Sequence, residues 1–185
     1  MTHRRHAVGT GRDGPAARQL LWCRAVPDEE RISATRRIAA PAATIFAIIT
    51  DPAGQVAIDG SHMLVAARGA TRLEAVGDSF KVDMDRDALG DLPLGQYQVL
   101  NTVTKIEPDR LLEWNVGSAE RGPLGHVYGY QLEPAGGDAT DVTSYCDWSG
   151  ISDALRERIP RWPIVPKMAL ISTLEKLDAL ATKSA

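Results

Sequence analysis

His126, Tyr128 and Tyr130 stand at alternate positions of one apolar segment, and in an extended strand alternate side chains share a face. An imidazole beside phenols is a set that could move a proton. Other groupings hold reactive residue types with less promise. Asp59, Ser61 and His62 carry the side chains of a hydrolytic triad. Neighbours within one turn do not easily reach one another as nucleophile, base and orienter, and no Gly-x-Ser-x-Gly elbow accompanies them, so a turn is expected. Asp83, Asp85 and Asp87 alternate along a strand and read as a solvated edge; acid–base work needs carboxylates in environments that separate their pKa values. Gly9, Gly11 and Gly14 spell a literal Gly-x-Gly-x-x-Gly, but that motif holds a dinucleotide only between a strand and a helix. Here a His- and Arg-rich stretch precedes it and Pro15 follows, so it is read as a product of composition. His3, His6, His62 and His126 make no ligand pair, and Cys23 and Cys146 make no Cys-x-x-Cys. Neither a metal nor another cofactor is expected.

The element that must position any such site is the last one. In residues 166–182, Met168, Ile171, Leu174 and Leu177 recur at three- and four-residue steps, with Leu170, Leu180 and Ala181 beside them. That spacing predicts a helix with one broad apolar stripe, and Pro166 suits its first turn. Upstream, residues 33–40 read as a strand, and Pro41 opens a short apolar helix that stops before Asp51-Pro52. A further helical turn is expected over 53–58. Six segments then read as strands: 63–67, 78–87, 96–107, 111–116, 126–133 and 141–148, separated by Gly- and Pro-containing turns. Residues 149–163 form an irregular or partly helical bridge, broken repeatedly by prolines. Strand, short helices, six strands and a long helix make an α+β protein with an antiparallel sheet that the terminal helix covers.

Composition narrows the classes. A chain of 185 residues with 44% hydrophobic and 24% charged residues has enough apolar material for a core and no run long enough to span a membrane. Residues 1–27 carry Arg4, Arg5, Arg12, Arg18 and Arg24 against Asp13 alone, so the remainder is more acidic than the overall charge of −3. An acidic body argues against nucleic acid as partner. The leader lacks the apolar core of a secretory signal and is expected to be disordered. A reduced, buried Cys146 fits a cytoplasmic setting. Residues 28–185 are expected to form one domain, as a monomer or homodimer.

Asp51-Pro52, Asp59-Gly60-Ser61, Val76-Gly77-Asp78-Ser79-Phe80, Ile106-Glu107-Pro108-Asp109-Arg110-Leu111-Leu112-Glu113-Trp114 and Asp147-Trp148-Ser149 resemble, in type and order, the signposts of the START-like (SRPBCC) superfamily. The chain is similar to its bacterial polyketide cyclase/dehydrase and lipid-transport branch, which shares the fold of the birch pollen allergen, over about residues 32–182. The resemblance implies a helix-grip fold: a curved antiparallel sheet of about seven strands around a long C-terminal helix, with a ligand cavity between them.

Within that fold, alternation proposes the inward side chains. They are His126, Tyr128 and Tyr130; Phe80, Val82, Met84 and Arg86; and Trp114 with Leu112 and Val116. In 96–107, Tyr97, Val99, Asn101 and Val103 share one face while Leu100 and Ile106 lie on the other, so a bulge that switches faces is expected. In 141–148, Val142, Ser144, Cys146 and Trp148 are the preferred inward set. Candidate ligand contacts are thus Phe80, Val82, Met84, Arg86, Asn101, Trp114, Tyr128, Tyr130, Met168, Ile171 and Leu174. The expected function is binding of a hydrophobic small molecule (lipid, fatty acid or polyketide) as a carrier or sensor. The alternative is a cyclase or dehydratase that uses the same pocket, with His126, Tyr128 and Tyr130 as the catalytic candidates.

Overall fold

The computed structural model describes residues 30–183 apart from 70 and 160. The expectations for the leader, including Cys23 and the glycine motif, fall outside the described residues. β1 (Arg31–Ile38) leads into α1 (Ala42–Ile49) and α2 (Pro52–Ile58). There follow β2 (Leu64–Arg68), β3 (Ser79–Asp85), β4 (Gln96–Glu107), β5 (Leu111–Ser118), β6 (Gly122–Pro134) and β7 (Thr140–Asp147), then α3 (Asp153–Arg158) and α4 (Lys167–Ala181). The strands make one seven-stranded antiparallel sheet in the order β1-β7-β6-β5-β4-β3-β2, the helix-grip arrangement. Consecutive hairpins carry the chain from β2 to β7, and β1 closes onto β7 as an edge.

Local chemistry explains the element ends. The Asp51 carboxylate accepts from the Ala53 N–H and Pro52 occupies the first turn of α2, so the helix starts there. The Asp59 carboxylate accepts from the Ser61 amide at 2.9 Å and the Ser61 hydroxyl at 2.8 Å, and again from the Leu64 amide at 2.9 Å. Asp59 and Ser61 therefore build the turn into β2, while His62 is exposed. Asp83 binds Arg68 and Gln98, Asp85 caps a single turn of 3-10 helix (Arg86–Leu89), and Asp87 accepts from the Gly95 amide. That turn is a departure from expectation: Arg86 lies just beyond the strand, because the Asp85 side chain captures the Asp87 N–H and ends the β ladder. β6 also starts earlier than its pattern suggested, since the stretch around 117–122 is the tip of a long β5–β6 hairpin with register Ser118↔Gly122.

The expected bulge in β4 is present between Val103 and Lys105. Asn101 and Val103 face inward before it, and Ile106 packs on the core after it. The inward face of the sheet divides lengthwise. At one end Phe80, Val82, Val103, Leu112, Leu132 and Val142 pack against Leu174, Leu177 and Ala181 of α4 and against Ile45 and Ile49 of α1. Each such leucine contributes about 1.5–3 kcal/mol on burial. The other end is open. Gly60 sets the closeness of the helix: a Cβ there would lie 2.4 Å from both Ala169 O and Thr173 N, so only glycine lets the turn after α2 touch α4. Among the described residues, no helix is long and apolar enough to cross a membrane.

Candidate functional site

Where the packed core ends, the same strands surround a cavity of about 650 Å³, within the usual range for small-molecule sites. Each strand changes role along its length. β3 passes from Phe80 and Val82 in the core to Met84 in the cavity wall, and β5 from Leu112 to Trp114 and Val116. β6 passes from Leu132 to Tyr130, Tyr128 and His126, while β7 adds Ser144. α4 contributes Leu170 and Thr173 from its N-terminal half, and Thr173 Oγ1 accepts from the Gly60 amide at 2.9 Å.

Met84, Arg86, Asn101, Trp114, Tyr128 and Tyr130 therefore come together around the space, with His126 beside them. Phe80, Val82, Ile171, Leu174 and Met168 do not line it. Phe80, Val82 and Leu174 are sealed into the core end, where strand and helix meet directly, and Ile171 packs against that core. Met168 is 65% exposed, because it lies well round the helix from Leu170 and Thr173, on the solvent side. The apolar stripe of α4 is thus wider than its cavity-facing part.

The mouth comes from segments that carry no periodic signal. Leu92 and Leu94, from the loop after the 3-10 turn, line the cavity and are also 44% and 64% exposed. The proline-broken bridge supplies Ile159, Arg161, Trp162, Ile164 and Val165. The sequence signal that could have found them is a tryptophan and branched aliphatics in a stretch too irregular to be core. Arg86 ties the two rims together. Its Nε donates to Asp91 Oδ1 at 3.0 Å, its Nη2 to Asp91 Oδ2 at 2.7 Å, and its Nη1 to the Ile164 carbonyl at 3.5 Å.

The walls are aromatic. Trp114 stacks on Tyr128 with centroids 6.2 Å apart and tilts against Tyr130 at 5.8 Å; His126 meets Tyr128 edge-on at 5.7 Å and Trp162 at 5.0 Å. Among the described residues, three lining side chains carry buried polar atoms with no hydrogen-bond partner: Asn101 Oδ1, His126 Nδ1 and Trp162 Nε1. Such atoms ordinarily find partners, and each one left unmade costs about 1–3 kcal/mol. Burial pulls the His126 pKa down to about 4, so the imidazole is neutral at pH 7. Burial raises the Tyr128 and Tyr130 hydroxyls above the ordinary phenol range, with Cys146 adding to the effect on Tyr128 and the Asp59 charge to that on Tyr130. These shifts suit hydrogen bonding better than proton transfer, since an acid–base group works best with a pKa near the ambient pH.

No family model matches the chain. It is 34% identical over 121 residues to the uncharacterised protein Rv0088 of Mycobacterium tuberculosis, a match that takes in 64% of this chain and 47% of that protein. The chain thus spans about half the length of the curated relatives it matches. Among solved structures, protein CV1439 of Chromobacterium violaceum superposes with a TM-score of 0.58 at 16% identity, over 83% of this chain and 97% of that one. The Zhui aromatase/cyclase of Streptomyces sp. R1128 superposes with a TM-score of 0.58 at 11% identity, over 83% of this chain and 93% of that one. At such identities the shared feature is the fold alone.

Proposed function

We propose that this protein holds a hydrophobic small molecule in the cavity between its sheet and α4, as a carrier or sensor. The observation that carries this reading is an apolar and aromatic space of about 650 Å³ in which Asn101, His126 and Trp162 keep unpartnered polar atoms. Apolar walls supply affinity by the area they take from water, and a few polar groups fix orientation. Native mass spectrometry of the purified chain, compared with the denatured sample, tests it. The expected result is a bound mass released on unfolding, or uptake of Nile red by the emptied protein. Absence of both overturns the reading.

A second reading is a cyclase or dehydratase acting in the same space. It is favoured by the placement of His126, Tyr128 and Tyr130 together on its wall, and by the fold shared with an aromatase/cyclase. A shaped cavity speeds ring closure by orientation alone. The neutral, weakly basic His126 weighs toward binding. His126→Ala separates the two: a carrier keeps most of its affinity, whereas an enzyme that relies on this side chain keeps the ligand and loses turnover.

A further inference from the structure

The charged side chains that line the cavity are Asp59, Arg86, Arg158 and Arg161. The cation buried among them is already spent: both prongs of the Arg86 guanidinium are taken by Asp91, at 3.0 and 2.7 Å, and the pair has no net charge. Asp59 places a carboxylate near the α2 end, close enough for its field to reach Tyr130. Arg158 and Arg161 are exposed at the mouth, and Arg161 stands 3.7 Å from Asp91. Among the described residues, the interior therefore offers a ligand no free positive charge. What it does offer is uncharged hydrogen-bonding capacity. Trp162 Nε1 can only donate, the Asn101 amide presents a donor or an acceptor by turning over, and His126 has an unpartnered ring nitrogen.

We infer that the cavity selects uncharged ligands, such as ketones, phenols, alcohols or amides on an apolar and partly aromatic frame, over carboxylates or phosphates of the same shape. This rests on the small-molecule reading above and narrows its chemistry. An anion drawn inward past the exposed Arg158 and Arg161 gives up its hydration and meets no unpaired counter-charge deeper in, only the field of Asp59. A neutral polar group gives up far less, and its hydrogen bonds complete groups that the fold leaves open. The donor-only indole of Trp162 adds that the ligand carries at least one acceptor.

The test is displacement of Nile red, an uncharged dye, from the full chain at pH 7.5 by biphenyl-4-carboxamide and by biphenyl-4-carboxylate, which match in size and differ in charge. The carboxamide is expected to displace the dye at a concentration at least tenfold lower. A smaller ratio, a preference for the carboxylate, or displacement by neither overturns the inference while leaving the binding reading intact. A chain that takes up no Nile red overturns the binding reading itself and the inference with it. Asp91→Asn then frees the Arg86 charge with little change of shape, and dye uptake reports whether this variant is folded. The carboxamide preference is expected to shrink at least threefold; an unchanged preference in a variant that still takes up the dye counts against the inference. The wild-type comparison stands by itself.

Discussion

Arg86 and Asp91 form a two-pronged ion pair at the cavity mouth, with side chains only 5% and 15% exposed. The pair lets a guanidinium sit against an apolar space without an unbalanced charge, and through the Ile164 carbonyl it also holds the bridge before α4. Removing one partner strands the other. Arg86→Met is expected to cost about 2–4 kcal/mol in urea unfolding, short of the cost for a fully enclosed pair because Arg161 remains near Asp91. The double variant Arg86→Met/Asp91→Leu should recover most of that loss. Equal destabilisation of the single and double variants would show that the stranded Asp91 charge is not the cause.

The two ends of the sheet should answer differently to substitution. Leu177→Ala, in the packed end, is expected to lower stability by about 2–5 kcal/mol through lost contacts and a new void. Val116→Phe, on the cavity wall, adds bulk where there is room. It should leave the thermal midpoint unchanged or raised and weaken Nile red uptake at least tenfold. A thermal midpoint lowered as much by Val116→Phe as by Leu177→Ala would contradict an open cavity.

His126 makes stability depend on pH. Its folded pKa of about 4 lies below the 6.5 of a free imidazole, so as pH falls the unfolded chain takes up the proton first. The stability linked to the neutral ring is complete above about pH 6.5 and lost on the way down to 4. Tyr128, its hydroxyl raised by burial, and Trp162 face the ring and stay neutral through that window, and Arg158 and Arg161 line the same mouth. Asp78, Asp83 and Asp141, held below the usual carboxylate range by their partners, titrate lower still. Between pH 7.5 and 5.0 the wild type is expected to lose about 2 kcal/mol more than His126→Phe in urea unfolding. Parallel pH profiles would rule out a desolvated His126.

Gly60 is the contact point between the turn after α2 and α4. Gly60→Ala drives a methyl against the Ala169 carbonyl and the Thr173 amide, so the helix must move. A loss of about 1–3 kcal/mol is expected, with weaker Nile red uptake because Leu170 and Thr173 shift together. A variant with unaltered thermal midpoint and dye affinity would show that the approach is not tight.

Cys146 should be silent in the folded protein. It is wholly buried behind Tyr128, and burial pushes its thiol up to about 12. In a Cys23→Ser background, iodoacetamide is expected to label Cys146 only after denaturant is added, since the thiolate is the reactive form. Rapid labelling of the native protein would contradict the packing of this strand.

Much of the fold was legible because strand alternation and helix periodicity are local. The faces of β6 and β7 and the switch of face in β4 could be read from the spacing of His126, Tyr128 and Tyr130, of Val142, Ser144 and Cys146, and of Asn101, Val103 and Ile106. The site was legible in part. Trp114, Tyr128, Tyr130, Met84, Arg86 and Asn101 face the cavity, but Phe80 and Val82, on the face of Met84, and Leu174, on the α4 stripe of Leu170, are packed solid. Leu92, Leu94 and Trp162 escaped notice because their loops have no period that reports a direction.

By itself the sequence determined which side of each strand and helix turns away from water, since a two-residue or 3.6-residue repeat fixes that side wherever the element lies. Only the tertiary structure decided where the shared interior is filled and where it stays open. That boundary depends on how closely α4 approaches the turn at Gly60, on where the register shifts between β4, β5 and β6, and on which loops Arg86 and Asp91 hold across the mouth. Those separations join residues far apart in the chain, and no local pattern encodes a distance between them.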